Sequence, residues 1–306
     1  SSRCRGAQGD IFCSRTCQPD PVAMRLPVAL LAALYAPAWA LPLPPPTVRS
    51  RAAHRGDANE LIVHVAPGLS LIVLEADMST QEALVDAALE ATEAPGTASE
   101  DPYGVVLWPA AQVVAAAVVA LPGSLVGRRV VELGAGTGLC SLAAAAHGAA
   151  SVLATDYRPE PLALLRRAAE ASAGLLGRPL TPIETGLFDI KSEMPLPPAD
   201  VYIAADLLYL QSTSVALGRR CAEALRAGCE LVLVGDTGRP GRSAFLEALV
   251  EGGVRPDRAV FEAVEGWGAP TPRHELISSA PEGAGEGAAP AGVSVGLLRL
   301  TPADLG

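Results

Sequence analysis

The stretch ELIVHVAPGLSLIVLE, residues 60–75, is apolar on either side of a Pro-Gly pair and predicts two short strands joined by a turn. A helical pattern follows from Thr80 to Thr92, and a loop rich in proline, glycine and acids ends at Asp101. From Trp108 to Leu121 the run WPAAQVVAAAVVAL is apolar on nearly every face. It predicts a buried helix whose first turn is opened by Pro109. Beyond it, candidate strands at 129–133, 151–155, 181–185, 200–205, 230–235 and 258–263 alternate with helices that begin near Gly138, Pro159, Ser212 and Ser243. Such alternation predicts an α/β fold built on a parallel sheet with helices on both faces. A low-complexity loop, residues 279–291, then leads to a last strand from Gly292 to Leu300.

The 306 residues carry a net charge of −10, unevenly distributed. The first 58 residues hold seven arginines against three acids, which leaves 16 basic and 30 acidic residues, or −14, on the remainder. A body that acidic repels phosphate backbones, so no nucleic-acid partner is expected. From Met24 the chain has one arginine, an apolar run and the small residues Ala38 and Ala40 around Trp39, the layout of a signal peptide. The run is short and broken by proline, so no stable membrane insertion is expected. Arg49, Arg51 and Arg55 follow with no acid before Asp57, as in a transit peptide. Together these predict delivery to an organelle, a plastid or a mitochondrion. The expected organisation is a leader over 1–58 that is disordered or removed, an N-terminal extension over 59–122 and a cofactor-binding core over 123–306. Cys140, Cys221 and Cys229 fall in apolar surroundings and no CxxC pair occurs, so neither a zinc ribbon nor a redox motif is indicated. His54, His64, His147 and His274 are scattered, and no metal is expected. Lys191 is the only lysine.

The chemistry concentrates in VVELGAGTGLC, residues 130–140. A dinucleotide fingerprint requires glycines at the first, third and sixth positions of its turn. Here Gly134, Gly136 and Gly138 are followed by Leu139 at the sixth. The turn also follows Glu132, which would repel a pyrophosphate but suits an ammonium and a sulfonium, and this favours S-adenosylmethionine as cofactor. Asp156 closes the second strand of the core, where a carboxylate accepts ribose hydroxyls. Phe188 and Asp189 follow the third, offering a face for adenine and an acceptor for its amino group.

With these residues the chain resembles the class I, seven-β-strand methyltransferases, whose first motif looks like VELGAGTG, and within them the protein-lysine methyltransferase group. DPYGVVLWPAAQ at 101–112 is similar to that group's aromatic-Trp-Pro segment, and ADLLY at 205–209 to its Asp-x-x-Tyr motif. VGDTGRP at 234–240 is similar to a turn in the methyltransferases of the electron transfer flavoprotein β subunit. Gly104 to Leu107 departs from the pattern, being aliphatic where those enzymes tend to be aromatic. The resemblance implies a Rossmann-like, doubly wound, seven-stranded sheet with a small N-terminal β/α extension. It also implies methyl transfer to a lysine of a protein partner, by an enzyme expected to be a monomer. Asp206 is the candidate to hold the amine, with Tyr209 and Trp108 forming an aromatic channel that gives a cation–π contact. Asp236 and Arg239 are expected to pair across their glycine turn. The alternatives are a methyltransferase of a small amine or other metabolite, and a noncatalytic adenosyl-binding scaffold. A dehydrogenase is disfavoured by Leu139 and by the lack of a second half for a nicotinamide.

Overall fold

A computed structural model describes residues 47–93, 102–121, 125–264 and 294–306. The leader before residue 47 and the loop over 279–291 therefore lie outside the described residues. Strands β1 (Thr47–Arg55), β2 (Ala58–Ala66) and β3 (Leu69–Ala76) form an antiparallel sheet in chain order. The two predicted strands are β2 and β3, joined at the Pro-Gly turn, while β1 occupies a stretch assigned above to the leader. Helix α1 (Met78–Glu93) follows, then a single 3-10 turn, Pro102–Val105.

Helix α2 (Pro109–Val119) begins at the predicted proline and is buried on almost every side. After it the chain alternates through β4 (Arg129–Leu133), α3 (Leu139–Ala146), β5 (Ser151–Asp156), α4 (Pro159–Leu176), β6 (Ile183–Leu187), β7 (Val201–Ala205), α5 (Gln211–Arg226), β8 (Leu231–Asp236) and α6 (Arg242–Glu251). The final strands are β9 (Glu262–Ala263) and β10 (Gly296–Leu300). The sheet runs β6-β5-β4-β7-β8-β10-β9, parallel from β6 to β8, with β10 antiparallel to both neighbours. The expected all-parallel sheet is thus mixed at one edge.

Two predicted strands differ from the sequence reading for local reasons. The strand expected at 181–185 starts at Ile183, because Pro182 has no amide to give and Thr181 is tied to the end of α3 through its hydroxyl to Ala149 O (2.8 Å). The strand expected at 258–263 shrinks to two residues. Arg258 N–H closes a turn onto Arg255 O (2.9 Å) and its Nε donates to Asp304 (2.6 Å), which holds the chain away from the ladder. The last strand covers Gly296–Leu300, and the start expected at Gly292 lies outside the described residues.

Two apolar layers cover the sheet. One joins β2, β3, α2, α3 and α4 around Val63, Leu71, Val114, Leu142 and Leu165, and the other joins β7, β8, α5 and α6 around Ile203's neighbours Tyr202 and Ala204, Leu217 and Phe245. The N-terminal sheet is pinned to the first layer by a polar contact inside it. Ser172 Oγ of α4 accepts from Ile72 N (2.8 Å) and donates to Ile72 O (3.0 Å), so the buried hydroxyl is satisfied in both directions.

Candidate active site

Chain order reverses between β4 and β7: β5 and β6 are laid down on one side of β4, and β7 and β8 on the other. In an open α/β sheet, ligands bind outside the carboxyl ends of the strands at such a switch point. A cleft of about 420 Å³ opens there. Its floor includes Glu132, Gly134, Gly136 and Asp156, and its walls include Val85 and Leu89 of α1, Tyr103 of the 3-10 turn, Trp108, Tyr209 and Arg239.

The glycine turn is shaped by left-handed backbone. Gly134, Gly136 and Gly138 have φ of 63, 51 and 75°. A Cβ on Gly138 would fall 2.3 Å from Leu165 of α4, so this glycine permits the close approach of α3 and α4; it is not itself part of the cleft lining. Several amides of the turn and of the first turn of α3 are bonded within the protein. Gly136 N donates to Asp156 Oδ2 (3.0 Å), Ser141 N to Glu132 Oε2 (2.8 Å), and Ala135 N to Thr155 O (2.8 Å). A helix N-terminus normally offers such amides and its positive dipole end to an anion. Here a buried carboxylate at Glu132 offsets that end of α3, and a second carboxylate holds the turn. Two carboxylates at this point disfavour a pyrophosphate and suit a cofactor with an ammonium, a sulfonium and hydroxyls.

Glu132 is only 2% exposed, and burial pushes its pKa up to about 7, opposed by hydrogen bonds from Ser141 and Cys140. Because the folded pKa lies above the ordinary carboxylate value, the folded state binds more protons than the unfolded chain between about pH 4.5 and 7. Stability contributed by this group is therefore present at acid pH and lost as pH rises through about 7. We expect Glu132→Gln to remove a fall of up to about 3 kcal/mol between pH 5 and 8. Urea unfolding of the ligand-free protein at the two pH values checks this. An identical pH dependence in wild type and variant contradicts the assignment.

Asp206 follows β7 with φ of 59°, the only non-glycine positive φ among the described residues. Its carboxylate is spent inside the protein. Oδ2 accepts the N–H of Ala110 (3.0 Å), while Oδ1 accepts the Thr237 hydroxyl (2.6 Å) and Arg239 Nε (3.2 Å). Ala110 is the second residue of α2. Pro109 before it has no N–H, and Trp108 supplies no side-chain cap. Asp206 therefore caps α2 from across the sheet. Arg239 extends on to Trp108, its guanidinium carbon 4.8 Å from the ring centroid, and the indole N–H donates to Tyr103 O (3.1 Å).

The expected side-chain pairing of Asp236 with Arg239 is corrected. Arg239 turns to Asp206, and the fully buried Asp236 instead pairs with Arg242 (2.6 Å), receiving only the backbone N–H of Arg239. Phe188 and Asp189, expected to serve adenine, are held by other partners. Phe188 is 5% exposed in the second apolar layer with Arg220 over its ring at 5.5 Å, and Asp189 caps its own turn through Lys191 N–H (2.8 Å). Neither lines the cleft. Gly134, Gly136, Glu132, Asp156, Trp108, Asp206 and Tyr209 are brought together there as expected. Tyr103 and the apolar face of α1 were missed, while Arg239, expected to shape the entrance, borders the cleft with a different partner. Only the helical spacing of Val85 and Leu89 hinted at that face of α1, and nothing local in the sequence tells which wall a helix faces.

A family model described as lysine methyltransferase matches residues 89–251, just over half of the chain. Among curated proteins, the electron transfer flavoprotein β subunit lysine methyltransferase of Rattus norvegicus is 30% identical over 153 residues, covering 46% of this chain and 52% of the relative. That of Danio rerio is 27% identical over 145 residues, covering 47% and 52%. The chain thus spans about half the length of the curated relatives it matches. Among solved structures, the magnesium protoporphyrin IX methyltransferase of Synechocystis PCC 6803, with bound S-adenosylhomocysteine, aligns with a TM-score of 0.40 at 13% identity, covering 70% of this chain and 93% of that one.

Proposed function

The chain belongs to the lysine methyltransferase family, and from that premise we propose that its cleft seats S-adenosylmethionine and passes the methyl group to the side-chain amine of a lysine in a protein partner. The supporting observation is the pair of carboxylates at the glycine turn: Asp156 accepts the Gly136 N–H and Glu132 accepts the Ser141 N–H in the first turn of α3, which gives the cleft an acidic floor for a cationic ligand. When bound, S-adenosylmethionine supplies an electrophilic methyl carbon on a charged sulfur. The protein's part is alignment and exclusion of water. Asp156, ending β5 in the cleft, is assigned to the ribose hydroxyls, and Glu132 to the cofactor's cationic end. Tyr103, Trp108 and Tyr209 line the same cleft, where aromatic faces favour an amine carrying developing positive charge by roughly 0.5–2 kcal/mol. The nitrogen lone pair forms the new N–C bond as the C–S bond breaks, and the surplus proton leaves to solvent.

The names of the curated relatives make the electron transfer flavoprotein β subunit the first substrate to try. Delivery to an organelle is part of the same proposal, supported by the arginine-rich, acid-poor composition of residues 1–56. Purified protein incubated with methyl-labelled S-adenosylmethionine and an organelle extract is expected to place label on a protein band. Label found only in small molecules would establish a metabolite methyltransferase, and label nowhere, with the cofactor bound, a noncatalytic domain.

A further inference from the structure

The carboxylate best placed to grip an acceptor amine is already occupied. Asp206 has a side chain with 0% exposure although it borders the cleft, and Arg239, 28% exposed and bordering the same cleft, is bonded to it at 3.2 Å. The other groups facing Asp206 are neutral: the Thr237 hydroxyl from the turn after β8 and the Ala110 N–H from α2. Of the nearby acids, Asp236 is held by Arg242, and Glu132, assigned above to the cofactor's cationic end, is bonded to Ser141. Tyr209, from the segment after β7, borders the same space. Arg239 is thus the charged side chain bonded to Asp206.

A bare carboxylate would bind an alkylammonium and raise the pKa of that amine. An ammonium has no lone pair and cannot attack a methyl carbon. A carboxylate neutralised by a guanidinium exerts no such hold, and stacking on Trp108 keeps the guanidinium in place. We propose that Arg239 is a positioning residue which neutralises and covers Asp206, so that the acceptor lysine enters the aromatic side of the cleft without being trapped there as an ammonium ion. The inference rests on the methyl-transfer reading.

Its test needs neither cofactor nor turnover. Binding of n-butylammonium, a mimic of the lysine side chain, to the full chain is measured by calorimetry at pH 8. Arg239→Ala is expected to bind the probe at least tenfold more tightly than wild type. The gain should vanish in Arg239→Ala combined with Asp206→Asn, and Arg239→Lys, which keeps the cation, should behave as wild type. If Arg239→Ala does not fold, Arg239→Gln carries the comparison with the same expected gain. Equal affinity in wild type and a folded neutral variant, or a gain that survives Asp206→Asn, overturns the inference. In the labelled-transfer assay, the pH profile of the neutral variant should move to higher pH, a change that loss of structure alone does not produce. Failure of wild type to transfer any methyl group would instead count against the methyltransferase reading and leave the binding comparison standing.

Discussion

Asp206→Ala is expected to lower the stability of the ligand-free protein by about 3 kcal/mol, whereas Asp206→Asn costs about 1 kcal/mol. Alanine loses the cap on Ala110 N–H, about 1 kcal/mol. It must also adopt φ of 59°, which costs an L-residue with no helpful side chain roughly 1–2 kcal/mol. The remainder comes from the unpaired Thr237 hydroxyl and Arg239. Asparagine tolerates left-handed backbone and keeps an acceptor for one of these partners. A loss of about 3 kcal/mol corresponds to a melting temperature lower by roughly 6–12 °C for a chain of this size. Calorimetric melting of the three proteins checks the order. The comparison also separates structure from chemistry. Loss of methyl transfer in Asp206→Ala alone reports a displaced α2 and Trp108, while loss in both variants, with folding intact in the asparagine protein, ties the carboxylate's charge to turnover. Equal stability of the two variants would show that the capping bond and the backbone strain carry no weight.

The same residue shows how far the sequence could be read. The strands and helices on either side of the glycine turn followed from hydrophobic runs and from Pro109, Pro159 and Gly138 at their ends, signals that act within one element. The shared edge of the acidic residues at strand ends, Glu132, Asp156 and Asp206, followed in turn from the parallel sheet, whereas the strand order that makes a switch point there came from the fold. What escaped was partner choice. Arg239 lies three residues from Asp236 and 33 from Asp206, yet its side chain takes the distant acid because Arg242, one helical turn on, already holds the near one. Phe188 is a second case: it is expected after the third strand, facing adenine, but β6 runs two residues past its expected end, and there Leu187 faces solvent and Phe188 the core. The antiparallel β10 reads the same as a parallel strand in one dimension, since its pairing with β8 is settled by topology.

The largest effect on ligand binding is expected from Gly136→Val. At φ of 51° a β-branched residue is strained, and its Cβ would lie 3.0 Å from the carbonyl oxygen of Gly104, backbone that cannot rotate out of the way. The 3-10 turn Pro102–Val105 carries that carbonyl, and Tyr103 within it accepts the Trp108 indole N–H, so pushing the turn outward moves the aromatic side of the cleft along with its floor. Relief in the other direction breaks the bond from Gly136 N to Asp156, the acid assigned to the ribose. Either movement damages the seat of the cofactor. We expect affinity for S-adenosylhomocysteine to fall at least a hundredfold, roughly 3 kcal/mol, measured by titration calorimetry on protein whose circular dichroism is unchanged. Gly136→Ala, which meets the same carbonyl without the branched carbon, should fall between the two. Because Asp156 holds the Gly136 amide and Glu132 offsets the amide end of α3, NAD should produce no heat with wild type or with either variant. Undiminished binding of S-adenosylhomocysteine by a folded Gly136→Val would mean that the ligand sits away from the switch point, since no arrangement of these residues lets a valine at 136 leave both the Gly104 carbonyl and Asp156 where they are.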